Sequence, residues 1–366
     1  MNNTIVFILT SVNDTHMMKR AFEFVENGYK VKLYGFSRSV NINSDYNLPV
    51  EILGMMPEKH YFYRLFFMYK ALSKIRNDIS SDSIMYYFGQ DIAMVANRVF
   101  HYPYYYEECD LSFSYVGNGF IRSALHWLDR RVIRNSLRTI LTSEGFCQYH
   151  FGNNRPTNIT VIPNRLDPKC QEFSYVPSDS PDMSNLRIGY VGKIRFRSTF
   201  EFFKYASKKD NVSLSFYGVE AWFSKDDEQG FDALCADGKI KCFGRFKSPE
   251  DLASIYSKID LTIATYDVDK INPKWAEPNK LYEAIYYETP IIVSSNCYLS
   301  DVVEKLGVGF SVKTSDEQSM KSFFESLTLD SIEEKKKACR SLGKDFCLNV
   351  NSSLFDIVAA DLKNNK

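Results

Sequence analysis

The 366-residue sequence is as informative in what it lacks as in what it holds. It has no net charge, with 45 basic and 45 acidic residues, which argues against a general nucleic-acid binder, whose surface must be basic. No apolar run approaches the ~20 residues that span a bilayer. The opening stretch MNNTIVFILTSVNDTH has no basic region and only a short apolar run, so it does not read as a secretory signal. The eight cysteines form no Cys-x-x-Cys pair and have no histidine at metal-ligand spacing; they read as reduced thiols of a cytoplasmic protein without a metal centre. No Gly-x-Gly-x-x-Gly follows an opening strand, which disfavours a dinucleotide dehydrogenase. Internal repeats and low-complexity tracts are absent as well.

What is present is ordinary globular material, 45% hydrophobic and 25% charged, with an unusual 15% of aromatics. The length suits two domains. Short β-rich apolar runs alternate with helical spacing from residue 4 onward. The runs 4–10, 31–36, 83–89, 102–108, 139–144 and 159–164 are expected strands of a first parallel sheet. A stretch rich in Pro, Ser and Asp, 165–185, reads as a linker. The alternation then restarts with 187–192, 212–218, 240–244, 261–266, 290–295 and 307–312. The expected fold class is α/β, two Rossmann-like domains facing across a cleft, with domains at 1–164 and 165–349 and a tail, 350–366, crossing back to the first. Ligands of such folds sit at the carboxyl ends of the strands.

Two stretches carry candidate chemistry. In EPNKLYEAIYYETPIIVSS (277–295), Pro278 suits the first turn of a helix over 278–288. The free amides around Asn279 and Lys280, the Lys280 charge and the helix dipole make an anion site. Glu283, one turn on, repels a phosphate but accepts from the two hydroxyls of a ribose. In YVGKIRFRST (190–199), Lys193, Arg195 and Arg197 follow a strand end, and an extended segment would point all three the same way, as a clamp on a leaving diphosphate. In the first half, Asp14 and His16 lie in the loop after the first strand, and Glu108 and Asp110 at the end of a later one. These are the candidates for a general base, with an N-cap role equally open for Asp14. Two segments, 59–76 and 121–138, are aromatic and carry five basic residues each; such helices suit an anionic membrane surface.

On the motifs ITVIPNRLD (159–167), RIGYVGKIR (187–195), FGRFKSPEDLASIYSKIDLTIATY (243–266) and EPNKLYEAIYYETPIIVSS (277–295), the chain resembles the GT-B-fold group-1, family-4-like glycosyltransferases of bacteria. The stretch 128–146 resembles the close of that fold's first domain. The resemblance implies a nucleotide-diphosphate sugar as donor, held mainly by the second domain, and a saccharide or lipid-linked acceptor held mainly by the first. It implies that Glu283 holds the ribose, that Lys193, Arg195 and Arg197 face the phosphates, that no metal or other cofactor is needed, and that anomeric configuration is retained. The chain departs from the family in three places. Glu277 is the only glutamate just upstream of Glu283, at a shorter spacing than usual. The loop 11–16 has no glycine. Cys109-Asp110 stands where many members have a His-Asp or His-Glu pair. Two other readings remain: a nucleotide-sugar 2-epimerase on the same fold, and a non-catalytic two-domain sugar-binding protein.

Overall fold

A computed structural model describes residues 4–38, 46, 48–57, 60–177, 180–349 and 352–364. The chain forms two compact units, residues 1–163 with 350–366, and residues 164–349. Each is a parallel sheet with helices packed on it, so the expected α/β class with two Rossmann-like units is observed.

The first unit holds strands β1 (Thr4–Leu9), β2 (Lys30–Ser37), β3 (Val50–Met55), β4 (Ile84–Phe88), β5 (Tyr104–Glu108), β6 (Arg138–Leu141) and β7 (Ile159–Val161), in the order β3-β2-β1-β4-β5-β6-β7. Its helices are α1 (Thr15–Glu26), α2 (Tyr61–Lys74), α3 (Gln90–Phe100), α4 (Gly119–Asn135) and α5 (Glu144–Phe151). The strands are parallel, and β4 and β5 are buried along their whole length. That is why they read as continuous rather than alternating runs, with Glu107 and Glu108 only at the end of β5. The edge strand β3 was not expected from the sequence: its residues are half-buried or exposed, so the run lacks the apolar signature of its neighbours.

The second unit holds β8 (Leu186–Ile194), β9 (Val212–Glu220), β10 (Ile240–Cys242), β11 (Leu261–Ala264), β12 (Ile291–Ser294) and β13 (Gly309–Val312), in the order β10-β9-β8-β11-β12-β13. Its helices are α6 (Arg197–Ala206), α7 (Lys225–Ala236), α8 (Leu252–Tyr256), α9 (Ile271–Trp275), α10 (Asn279–Tyr286), α11 (Tyr298–Leu306), α12 (Glu317–Ser326) and α13 (Leu329–Leu342). In both sheets the order reverses beside the first strand, between β1 and β4 and between β8 and β11. A doubly wound sheet opens a crevice at its carboxyl edge there.

Two expectations need correction. The segment 165–185 is not a free linker: Leu166 and Cys170 are buried in the second unit's core, Phe173 and Tyr175 pack against it, and Leu166 bridges to Leu348. Its Ser178 and Asp179 lie outside the described residues. Burial of four apolar side chains outweighs the polar composition that suggested a linker. Cys235 and Cys242, expected as thiols, form a disulfide, because the turn between α7 and β10 brings their Cα atoms within 6.6 Å; the six other cysteines form no disulfide. The last helix, α14 (Ser352–Asn364), packs Leu354, Phe355, Val358 and Leu362 into the first unit's core, and Arg138 pairs with Asp361 at 2.8 Å.

The two longest strands of the second unit touch at a point that only glycine permits. A Cβ on Gly218, where φ is +148°, would stand 1.8 Å from the Gly192 carbonyl oxygen. Gly218→Ala is therefore expected to lose roughly 2–4 kcal/mol from combined strain and clash. Gly28→Ala, also at positive φ but with open space around it, should lose only about 1–2 kcal/mol. Urea unfolding of the two variants checks the ranking, and equal losses would count against the close contact.

Candidate functional site

The second unit's site is built at the β8/β11 switch point. Strand β8 runs through Lys193 to Ile194. Beneath it, Tyr190 donates to the Lys193 carbonyl at 2.9 Å. Helix α10 starts directly opposite, with Pro278 as its extended N-cap residue rather than within its first turn, and without a side-chain cap on its first amides. The proline ring fixes φ near that value and has no N–H to satisfy, so the boundary falls one residue later than expected. Lys280 folds back over the Tyr190 ring, its Nζ 4.2 Å from the centroid. The same Nζ would meet a Cβ on Gly192 at 3.1 Å, so the glycine leaves room for the ammonium.

Glu283 lies one turn further, half-buried, and accepts from Tyr256 Oη at 2.7 Å. Burial raises its pKa, while the Tyr256 hydrogen bond and Lys280 act in the opposite direction. Tyr256 is itself fixed by stacking on Tyr287, with ring centroids 4.8 Å apart. Arg195 lies close enough to act electrostatically on both Tyr190 and Tyr266, as Lys280 and Glu283 act on Tyr266. Its guanidinium leans on Phe196, and its buried Nε has no hydrogen-bond partner. Arg195, Lys280 and Glu283 thus share one tyrosine-lined corner.

The other two cations lie differently. Lys193 is exposed on the last turn of β8. Arg197 begins α6 and pairs with Glu201 at 3.3 Å, its side chain 69% exposed. It lines a separate depression with Lys204 and Lys208. The chain leaves its extended path at Phe196 and turns helical, which ends the alternation expected to align the three side chains. Asp267, from the loop after β11, already accepts from the Ser198 amide at the start of α6. Glu277 accepts from the Tyr282 hydroxyl, over whose ring Arg165 lies at 5.4 Å.

In the first unit, Asp14 is the N-cap of α1, accepting from the amides of His16 and Met17 at 3.0 and 3.2 Å. His16 donates through Nε2 to Glu107 at 2.8 Å. Glu107 was missed in the sequence; it is the centre of a buried network. Arg20 binds both its oxygens, at 3.0 and 3.1 Å, and Tyr86 donates to it as well. Burial opposes the Glu107 charge, yet Arg20 and then His16 hold its pKa well below the usual carboxylate range. Burial likewise opposes a charged His16, but the Cys109 thiol and Glu107 beside it hold the imidazole pKa above its ordinary value.

Glu108 does not join this network. Asp110 follows the end of β5. Glu108, next to Glu107, faces the other side of the sheet, since successive strand residues do. There it meets His150 of α5 at 2.9 Å and lies close to Asp129 of α4. Burial pushes Glu108 up to about 8 and His150 down to about 4.

Arg20→Met would leave Glu107 buried without its cation, a loss of roughly 3–5 kcal/mol. Adding Glu107→Gln should recover a large part of it. Denaturant titration of both variants tests this; a single variant as stable as the parent would mean that the ion pair is not buried as described.

No family model matches the chain. A curated relative, the succinoglycan biosynthesis protein ExoL of Rhizobium meliloti, is 22% identical over 346 residues, spanning 88% of this chain and 84% of that protein. The sucrose-phosphate synthase of Thermosynechococcus elongatus superposes over 100% of both chains at a TM-score of 0.72 with 14% identity. HepE of Anabaena, solved with UDP and glucose, superposes over 98% of this chain and 100% of its own at 0.70, also with 14% identity. The chain thus has the GT-B fold, the fold of the group-1 glycosyltransferases that its motifs resemble.

Proposed function

We propose that the protein is a glycosyltransferase of polysaccharide or glycolipid biosynthesis, moving a sugar from a nucleotide-diphosphate donor to a saccharide or lipid-linked saccharide acceptor. The observation that carries this reading is the corner formed by Lys280, Arg195 and Glu283 at the β8/β11 switch point. The uncapped amides of Asn279 and Lys280, with the Lys280 and Arg195 charges, receive the diphosphate. Glu283, held by Tyr256, accepts from the ribose diol. Protein cations take the role that a metal plays elsewhere, so transfer is metal-independent. The ExoL relative, named for succinoglycan biosynthesis, and HepE, solved with UDP and with UDP-glucose, support a polysaccharide product and a uridine donor.

Retention of configuration fits the first unit's chemistry. Asp14 is engaged as an N-cap, and His16 directs Nε2 to Glu107 as a hydrogen-bond donor, so neither is a free general base. The leaving diphosphate then deprotonates the acceptor, and the enzyme works by positioning and by stabilising charge.

Membrane contact is the second part of the proposal. Helix α2 has no acidic residue, and the only one on α4, Asp129, is fully buried. Phe62, Phe66 and Tyr69 on α2, and Phe120 and Trp127 on α4, are exposed beside Lys70, Lys74, Arg131 and Arg134. A groove of about 770 Å³, lined in part by Leu65, Met94 and Leu128, opens among α2, α3 and α4. Lys59, counted with this segment, lies outside the described residues. The proposed contact is peripheral, at the inner face; no described helix is long and apolar enough to cross a membrane.

A thermal-shift screen against UDP-, GDP-, ADP- and CMP-sugars should single out one base. Glu283→Ala should weaken that binding about tenfold or more, the loss of hydrogen bonds to a charged group being worth ~1.5–3 kcal/mol; unchanged binding places the ribose elsewhere. Isomerisation of donor without acceptor would favour the 2-epimerase, and binding without turnover the sugar-binding protein. In flotation assays the protein should rise with vesicles containing anionic lipid and not with neutral ones. Replacing Lys70, Lys74, Arg131 and Arg134 by glutamine should abolish this; no flotation with either vesicle rules out the surface.

A further inference from the structure

The carboxylates at the end of β5 are treated unequally. Glu107 has a cation of its own, Arg20, on both oxygens. On the opposite face, Glu108 and Asp129 are both fully buried and within hydrogen-bonding reach of each other. Among the described residues neither accepts from a lysine or arginine. A neighbouring guanidinium, Arg130, is turned onto the Phe151 ring at 5.1 Å, with its Nε unpartnered. Glu108 Oε1 and Asp129 Oδ2 are buried without any hydrogen-bond donor. Two ionised carboxylates facing each other in an apolar interior are strongly unfavourable unless a proton or a cation lies between them.

A third donor points to the same place. His150 Nε2 lies 2.9 Å from Glu108 Oε2 and 3.8 Å from Asp129 Oδ2. One ligand atom from each of Glu108, Asp129 and His150 falls within 4.8 Å of the others. A four-coordinate ion with nitrogen and oxygen ligands at about 2.0–2.2 Å holds its donors about 3.3–3.6 Å apart, so sub-ångström shifts would close the set. The outer contacts are those that orient metal ligands. Tyr106 Oη donates to the other Asp129 oxygen at 2.8 Å, and the second ring nitrogen of His150 lies 3.1 Å from His126 Nε2. The ligands come from three elements, β5, α4 and α5, so an ion there would tie two helices to the sheet.

We propose that Glu108, Asp129 and His150 bind one structural divalent cation, with Zn²⁺ the best match to a small closed site of one imidazole and two carboxylates. His150 ligates through Nε2 and donates from Nδ1 to His126. A second Glu108 oxygen or a solvent oxygen completes the shell. The cation neutralises the paired carboxylates as Arg20 neutralises Glu107. The site is separate from the proposed sugar transfer, which proceeds without a metal. The other compact donor set, His16, Glu107 and Cys109, already has its charge balanced by Arg20 and is not a metal site.

The test uses the whole chain, stripped with a chelator and given Zn²⁺, or Mn²⁺ in a parallel arm. One equivalent of Zn²⁺ should remain through gel filtration, measured by mass spectrometry of the metal, and Tm should rise by several degrees. Asp129→Asn and His150→Gln should lose both effects, and Cys109→Ser should keep both. Should the variants fail to fold, Co²⁺ added to the unaltered protein is expected to give tetrahedral d–d bands without thiolate charge transfer. A charge-transfer band would move the ion to Cys109 and overturn the assignment. Failure to retain Zn²⁺ or Mn²⁺, with Tm unchanged by either, would mean that a shared proton alone separates the two carboxylates.

Discussion

A parallel sheet covered on both faces leaves polar chemistry only one place to go. Backbone pairing uses every interior strand, and helices bury both sides, so the strands must be apolar along their length. In β4 and β5 all ten residues are buried, and the two charged ones, Glu107 and Glu108, stand at the carboxyl end of β5. Charged groups then collect at the carboxyl ends, where the strands feed loops and the strand order reverses. The groups of chemical interest, His16, Glu107, Lys193, Arg195, Lys280 and Glu283, all sit on or beside that edge of one sheet or the other.

At this edge a carboxylate's character depends on its partner. Glu107 is held charged by Arg20 and His16. Glu283 is partly desolvated, with Tyr256 and Lys280 opposing the rise of its pKa, which leaves one acceptor oriented and the other oxygen available. Among the described residues Glu108 and Asp129 accept from no lysine or arginine, and His150 is the basic side chain beside them. Glu107, Glu108 and Asp129 are fully buried and Glu283 half-buried, so the neighbouring donors, more than depth, distinguish an ion pair, a hydroxyl acceptor and a proposed cation ligand. Tyrosine is the recurrent donor: Tyr86, Tyr106 and Tyr256 each bind one of these groups. This gives a structural use to part of the chain's high aromatic content.

The alternation of strands was legible in the residues because buried parallel strands have a strong local signature. Twelve of the strands match expected runs, and the half-exposed β3 is the exception. Helix α10 was legible to within a few residues, since proline and a following amphipathic run mark its start. Within the candidate site, Asn279, Lys280 and Glu283 were grouped from sequence because one helix turn relates them, and α10 places them on that turn. Arg197 was placed with Lys193 and Arg195 on the assumption of an extended chain, and the turn into α6 separates it. Glu107 was passed over in favour of its neighbours, because nothing local tells which face of a strand end meets Arg20.

Sequence alone determined what depends on near neighbours: the two α/β halves, their strand runs, the helix start at Pro278 and the acid one turn beyond it. Tertiary structure decided the rest. It set Arg20 against Glu107 across 87 residues, Tyr256 against Glu283 across 27, and His150 against Glu108 across 42. Each of these pairings follows from which helix covers which face of the sheet, a consequence of global packing that local spacing does not encode.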